Sequence, residues 1–204
     1  MGCKGQDIPM FPLARFGSLV CLGCGLFAQA VNDLNSLVLE ADRFASRQMA
    51  PAHARTLDLY RIIGTGGADP ETLLEKGVDL DHWTLMYEAL PREGSAPGPP
   101  GGPWQTVNIQ CRKGMFTDLA WSPLPIFDCK SLEQVWITLT LDAAIAQLRR
   151  QGFTRGFTAL TVMRPLHPRL PDECTFVFKC APDQAFVGIS AQTGKWLWTE
   201  PFPH

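Results

Sequence analysis

Apolar residues recur every three or four positions at Leu34, Leu37, Val38, Ala41, Phe44 and Ala45. That spacing predicts an amphipathic helix over 32–49, capped by Asn32 or Asp33 and stopped by Pro51. Leu57–Ile63 is a short apolar run, read either as a strand or as a last helical turn. A glycine turn follows at 64–67, and Asp69-Pro70-Glu71 predicts a short helix ending at Gly77, with Asp69 as its cap. From His82 to Leu90 the period changes to two, with Trp83, Leu85 and Tyr87 on one face of a strand. Residues 91–103 hold five prolines and four glycines, which predicts an irregular loop. Trp104–Cys111 and Met115–Trp121 read as a hairpin, turning at Arg112-Lys113-Gly114 with Gly114 at positive φ. Residues 122–130 form a joint, and 131–138 reads either as a strand or as the lead-in to a helix.

The helical period returns at Leu141–Gln151. Leu141, Ala144, Ile145 and Leu148 make its inner face, Thr140 is its cap and Gly152 its end. Strands then follow at Phe157–Met163, Thr175–Cys180 and Ala185–Ser190, with a proline-containing loop at 164–171 and a closing Gln192-Thr193-Gly194-Lys195. Trp196 and Trp198 are placed on one face of a strand end. The plan of helix, strand, loop, strand, turn, strand thus occurs twice. Val107–Cys111 aligns with Phe176–Cys180, and 116–120 with 186–190. The fold expected is α+β: two tandem helix-plus-antiparallel-sheet units, at 31–121 and 122–204, packed together.

The N-terminus has a different pattern. Arg15 precedes the apolar run Phe16–Phe27, and Ala28-Gln29-Ala30 follows it. A basic segment, a short apolar core and small residues at −3 and −1 are the secretory pattern, so residues 1–30 are expected to be a signal peptide cleaved after Ala30. Either Met1 or Met10 serves as the start. Gly23-Cys24 resembles an acylation site, but Cys21 stands where a branched aliphatic is usual, so a periplasmic or secreted form is expected over an anchored lipoprotein. No stretch of 18 apolar residues is present, and no spanning helix is expected after processing.

Export changes the reading of the cysteines. Cys3, Cys21 and Cys24 leave with the signal peptide, while Cys111, Cys129, Cys174 and Cys180 remain. Four cysteines in an exported chain predict two disulfides. Cys174 and Cys180 flank one strand, about 20 Å apart at six residue steps, so Cys129 is expected to pair with one of them. A formal net charge of −2 over 204 residues gives no basic footprint for nucleic acid.

Several residues of the second half carry a family resemblance. They are Ile137-Thr138-Leu139, Ala143-Ala144-Ile145, and the closing Val187-Gly188-Ile189-Ser190-Ala191-Gln192-Thr193-Gly194-Lys195. Over roughly 137–198 the chain resembles the PepSY and PepSY-like domains of bacterial exported proteins. The resemblance implies a cystatin-like fold and an inhibitory, binding or regulatory module with no catalysis of its own.

Chemistry is sparse. The glycines at 64–67 lack the spacing of a dinucleotide fingerprint, and no Gly-Lys-Ser/Thr follows them. No catalytic, cofactor or metal site is expected. His82 with nearby carboxylates is the alternative that would make the chain a small enzyme, and it requires a concave pocket that gathers His82, Asp79, Asp81 or Glu88. A structural subunit of an envelope assembly is a further alternative. The favoured expectation is a periplasmic binding module with a protein partner, contacting it through loops 91–103 and 164–171 and through Trp196 and Trp198.

Overall fold

The computed structural model describes residues 33–49, 55–67, 69, 71–91, 106–132 and 137–202. The expected signal peptide and most of the proline-rich loop lie outside the described residues. Helix α1 spans Leu34–Gln48, capped by the Asp33 carboxylate, which accepts from the Asn35 N–H at 3.0 Å. Strands β1 (Arg55–Thr65), β2 (His82–Pro91), β3 (Thr106–Arg112) and β4 (Met115–Ser122) follow. After a two-residue strand β5 (Cys129–Lys130) comes helix α2 (Leu141–Arg150). Strands β6 (Ala159–Pro165), β7 (Thr175–Cys180), β8 (Ala185–Ser190) and β9 (Trp196–Pro201) complete the chain.

All the strand pairings are antiparallel, in the order β4-β3-β2-β1-β6-β7-β8-β9. The fold is therefore α+β, with two helices and one nine-stranded sheet among the described residues. Period two decides what is buried. Trp83, Leu85, Tyr87 and Ala89 of β2 point into the core, as do Val107, Ile109 and Cys111 of β3 and Phe176 and Phe178 of β7. The inner stripes of both helices join the same cluster, with Leu34, Leu37, Val38, Ala41 and Ala45 from α1 and Leu141, Ala144, Ile145 and Leu148 from α2. Burying a large aliphatic or aromatic side chain contributes about 1.5–3 kcal/mol. One polar tie crosses this layer: Tyr87 donates its O–H to Asp42 of α1 at 2.9 Å.

One open alternative is decided and two local expectations change. The run at 57–63 is strand, part of β1. The helix expected from Asp69 does not form among residues 71–77: Leu74 bridges Phe157 through N–H to carbonyl bonds of 2.7 and 3.0 Å, and only a 3-10 turn at Gly77–Asp79 follows. The tertiary bridge takes the backbone groups that a first helical turn would have used. Nor are the aligned hairpins equivalent. β3 and β4 end one side of the sheet, whereas β7 and β8 are followed outward by β9, so the sequence rhyme is displaced by one strand.

The disulfides are also absent. Cys111, Cys129, Cys174 and Cys180 are four buried free thiols. Cys111 on β3 is four strand spacings from β7, about 19 Å, and a bridge needs Cα atoms within about 7 Å. Cys129 pairs with Pro165 on the β1 side of β6. Continuing the β6–β7 register from Met163–Thr175 puts Cys174 opposite Arg164, on the other side of β6 and on the other face. Cys180 lies at the far end of β7, opposite Ala185.

Candidate functional site

Both helices cover one face of the sheet, so alternate side chains of every strand point away from them. Residues 122–132 are the chain's route across this second face. β4 ends at one edge of the sheet, yet β5 pairs next to β1 at its centre. The link is held at intervals. Thr106 Oγ1 donates to the Leu124 carbonyl at 2.5 Å, Ser122 Oγ accepts from the Leu124 N–H at 3.2 Å, and Arg61 pairs with Asp128. At β5 the seam between β1 and β6 opens, and the Leu132 N–H donates to the Leu59 carbonyl at 2.6 Å as the chain turns into the core. A bulge at Tyr60 in β1 accompanies this split and turns Arg61 to the face of Met86.

Between the link and the sheet lies a cleft of about 340 Å³, lined by Arg61, Met86, Asn108 and residues 124–128. Leu124 and Phe127 are 71% and 76% exposed at its rim, so the link leaves apolar surface in water instead of burying it. The Asp128 carboxyl lies below the usual range: burial opposes ionisation, and the Arg61 guanidinium outweighs it. Cys129 Sγ is 3.6 Å from Arg61 Nη2, but burial dominates and pushes that thiol up to about 11. Burial likewise raises Cys111 to about 11, and Cys174 and Cys180 to about 12. These four thiols are protonated near neutral pH and unsuited to nucleophilic attack.

The loop at 164–171, expected to meet a partner, adjoins this link. The Leu166 N–H donates to the Asp128 carbonyl at 3.0 Å, and Leu166 is half-exposed. Asp172 holds the loop's base, accepting from Arg164 at 2.7 and 3.0 Å and from Lys130 at 2.7 Å. The tryptophans are elsewhere, on the edge strand β9. Contrary to expectation they do not share a face. A bulge sets Trp198 opposite Gly188 and Trp196 opposite Ile189, neighbouring positions whose side chains point to opposite sides. Trp198 lies against Gly188, where a Cβ would be 2.3 Å from its ring.

The histidine and carboxylate cluster is only partly assembled. A second depression, of about 590 Å³, is lined by Gly66, Gly67, residues 72–76, Asp79 and Asp81. Its carboxylates are engaged in holding loops. Asp79 Oδ2 accepts from the Glu75 and Lys76 N–H groups at 3.1 and 2.9 Å, and Asp81 Oδ1 from the Gly67 N–H at 2.6 Å. His82 Nδ1 is 2.7 Å from the same Asp81 oxygen. Glu88 is six residues further along β2, about 20 Å away. It hydrogen-bonds Tyr60, whose phenol is pushed up to about 12, by burial first and by Glu88 second. No group of three or more His, Cys, Asp or Glu side chains among the described residues is placed to hold a metal. Among the same residues no helix is long and apolar enough to cross a membrane.

No family model and no curated protein matches the chain. Among solved structures it is similar to a chain described as a "putative lipoprotein" of Clostridium difficile 630. The identity is 9% and the TM-score 0.45, over 86% of this chain and 97% of that one. Sequence reasoning missed Arg61, Asn108 and the link as site elements. The available signal was Leu124 and Phe127, two large apolar residues in a joint with two prolines and no helical or strand period.

Proposed function

We propose that this chain is an exported binding module that engages a partner protein across the sheet face its helices leave open, and performs no chemistry of its own. The observation that carries this reading is the link at 122–128, which crosses that face, forms a cleft beneath it and holds Leu124 and Phe127 in water. Four raised thiols, and Asp79 and Asp81 carboxylates already engaged by loop N–H groups, favour binding over catalysis. The N-terminal pattern ending at Ala28-Gln29-Ala30 supports export to the periplasm or medium. The PepSY-like segments support a regulatory or inhibitory role. Read outward from the β1–β6 seam, each half runs helix then four strands, which fits two related cystatin-like units sharing one sheet.

Affinity capture from the cell envelope tests this reading, with the wild-type chain and a Leu124→Ser, Phe127→Ser variant. The expected result is a processed chain beginning at Val31, with a partner held by the wild type and lost from the variant at an unchanged melting temperature. An unprocessed chain in the cytosol, or equal capture by both forms, contradicts it.

A further inference from the structure

Four buried side-chain polar atoms among the described residues lack a hydrogen-bond partner, and two of them, Arg61 Nε and Asn108 Oδ1, belong to residues lining the cleft under the 122–128 link. Arg61 is opposite Met86, and Met86 opposite Asn108, so the two flank Met86 on one face with Cα atoms about 9.6 Å apart. One atom is a donor and the other an acceptor. A buried polar group left unpaired is costly, and here two of opposite sense belong to residues that line one concavity.

Charge selects what would satisfy them. Asp128 already matches the Arg61 guanidinium, so an incoming carboxylate or phosphate would meet an anion beside its cation. Met86, Leu124, Pro125, Ile126 and Phe127 make most of the remaining wall apolar, and the Thr106 and Ser122 hydroxyls that complete it are already bonded to the Leu124 backbone. A neutral group that carries an acceptor and a donor together, on a chain with apolar branches, is a peptide bond. We propose that the cleft binds an extended, uncharged, apolar peptide segment of the partner protein. A peptide C=O accepts from Arg61 Nε–H, a peptide N–H donates to Asn108 Oδ1, and an apolar side chain packs against Phe127. The volume of about 340 Å³ suits a segment of a few residues. This inference rests on the binding-module reading and specifies its partner's contact.

The test is a titration of the ¹⁵N-labelled full chain with a pool of acetylated tripeptide amides built from Leu, Ile, Val and Ala. Saturable amide shifts are expected at Arg61, Met86, Asn108 and 124–128. Asn108→Leu should weaken binding about tenfold, the loss of roughly one hydrogen bond. The same change should raise the melting temperature by a few degrees, because it removes an unpaired buried acceptor. A residue that only supported the fold would not give that opposite pair of effects. A matched pool with ester oxygens in place of peptide N–H groups should also bind about tenfold more weakly. Phe127→Ser, at an exposed position, should weaken binding without moving the melting temperature. These last two arms decide the matter if Asn108→Leu does not fold. Shifts absent from the cleft, or equal binding of peptide and ester pools, overturn the proposal. If Phe127-dependent capture of a partner persists in that case, the binding-module reading survives and this peptide contact alone is wrong.

Discussion

Each of the four described cysteines illustrates how burial sets chemistry. Cys111, Cys174 and Cys180 are fully buried and Cys129 nearly so, and each thiol is raised above its usual value of about 9, chiefly by loss of solvent. A group whose pKa is raised by folding contributes stability that is intact below its unfolded pKa and is lost as pH rises through its folded pKa. Stability should therefore fall between about pH 9 and 12 as the unfolded chain ionises these thiols first. Mutating them to alanine should flatten that alkaline limb in urea-denaturation measurements. In the native protein at pH 8 they should resist an aromatic disulfide reagent, and in denaturant all four should react without prior reduction. Fewer than four reactive thiols at these positions would restore the disulfide expectation. That expectation followed from export and an even count; it failed because strand order and register, which pairwise spacing does not reveal, hold these sulfurs apart.

Elements were most legible where one periodicity ran uninterrupted. Both helices are where Leu34–Ala45 and Leu141–Leu148 placed them, with Asp33 and Thr140 capping as their side chains allow. The β3–β4 turn uses Lys113 and Gly114 at φ of 49° and 76°, the positive values that a two-residue hairpin demands. Where tertiary pairing competed, local signals misled: Asp69-Pro70 starts no helix because Leu74 is drawn to Phe157, and a bulge parts Trp196 from Trp198. Gly188 is the counterpart of that bulge. Gly188→Ala would push a methyl into the Trp198 ring, so it should destabilise by about 1–3 kcal/mol and shift the tryptophan emission to longer wavelength. An unchanged spectrum and midpoint would show that Trp198 does not rest on that glycine.

At the scale of the molecule, the sheet runs unbroken from β4 to β9 through the seam where Arg61–Thr65 pairs with Met163–Ala159. Among the described residues, two helices cover one side of it and the extended link crosses the other. The sequence pattern suggested two helix-backed sheets, but it did not show that their first strands would pair, since contacts between distant segments leave no local trace. The link was legible only as a joint. Its exposed apolar residues acquire meaning once its path from the sheet's edge to its centre is known. The most direct measurement is photo-cross-linking in living cells, with a photoreactive residue placed in turn at Leu124 and Phe127 on the open side and at Leu39 of α1 on the covered side, all of them exposed. The open-side positions should give one common protein adduct and Leu39 none. An adduct at Leu39 with none at Leu124 or Phe127 would contradict binding through the open face.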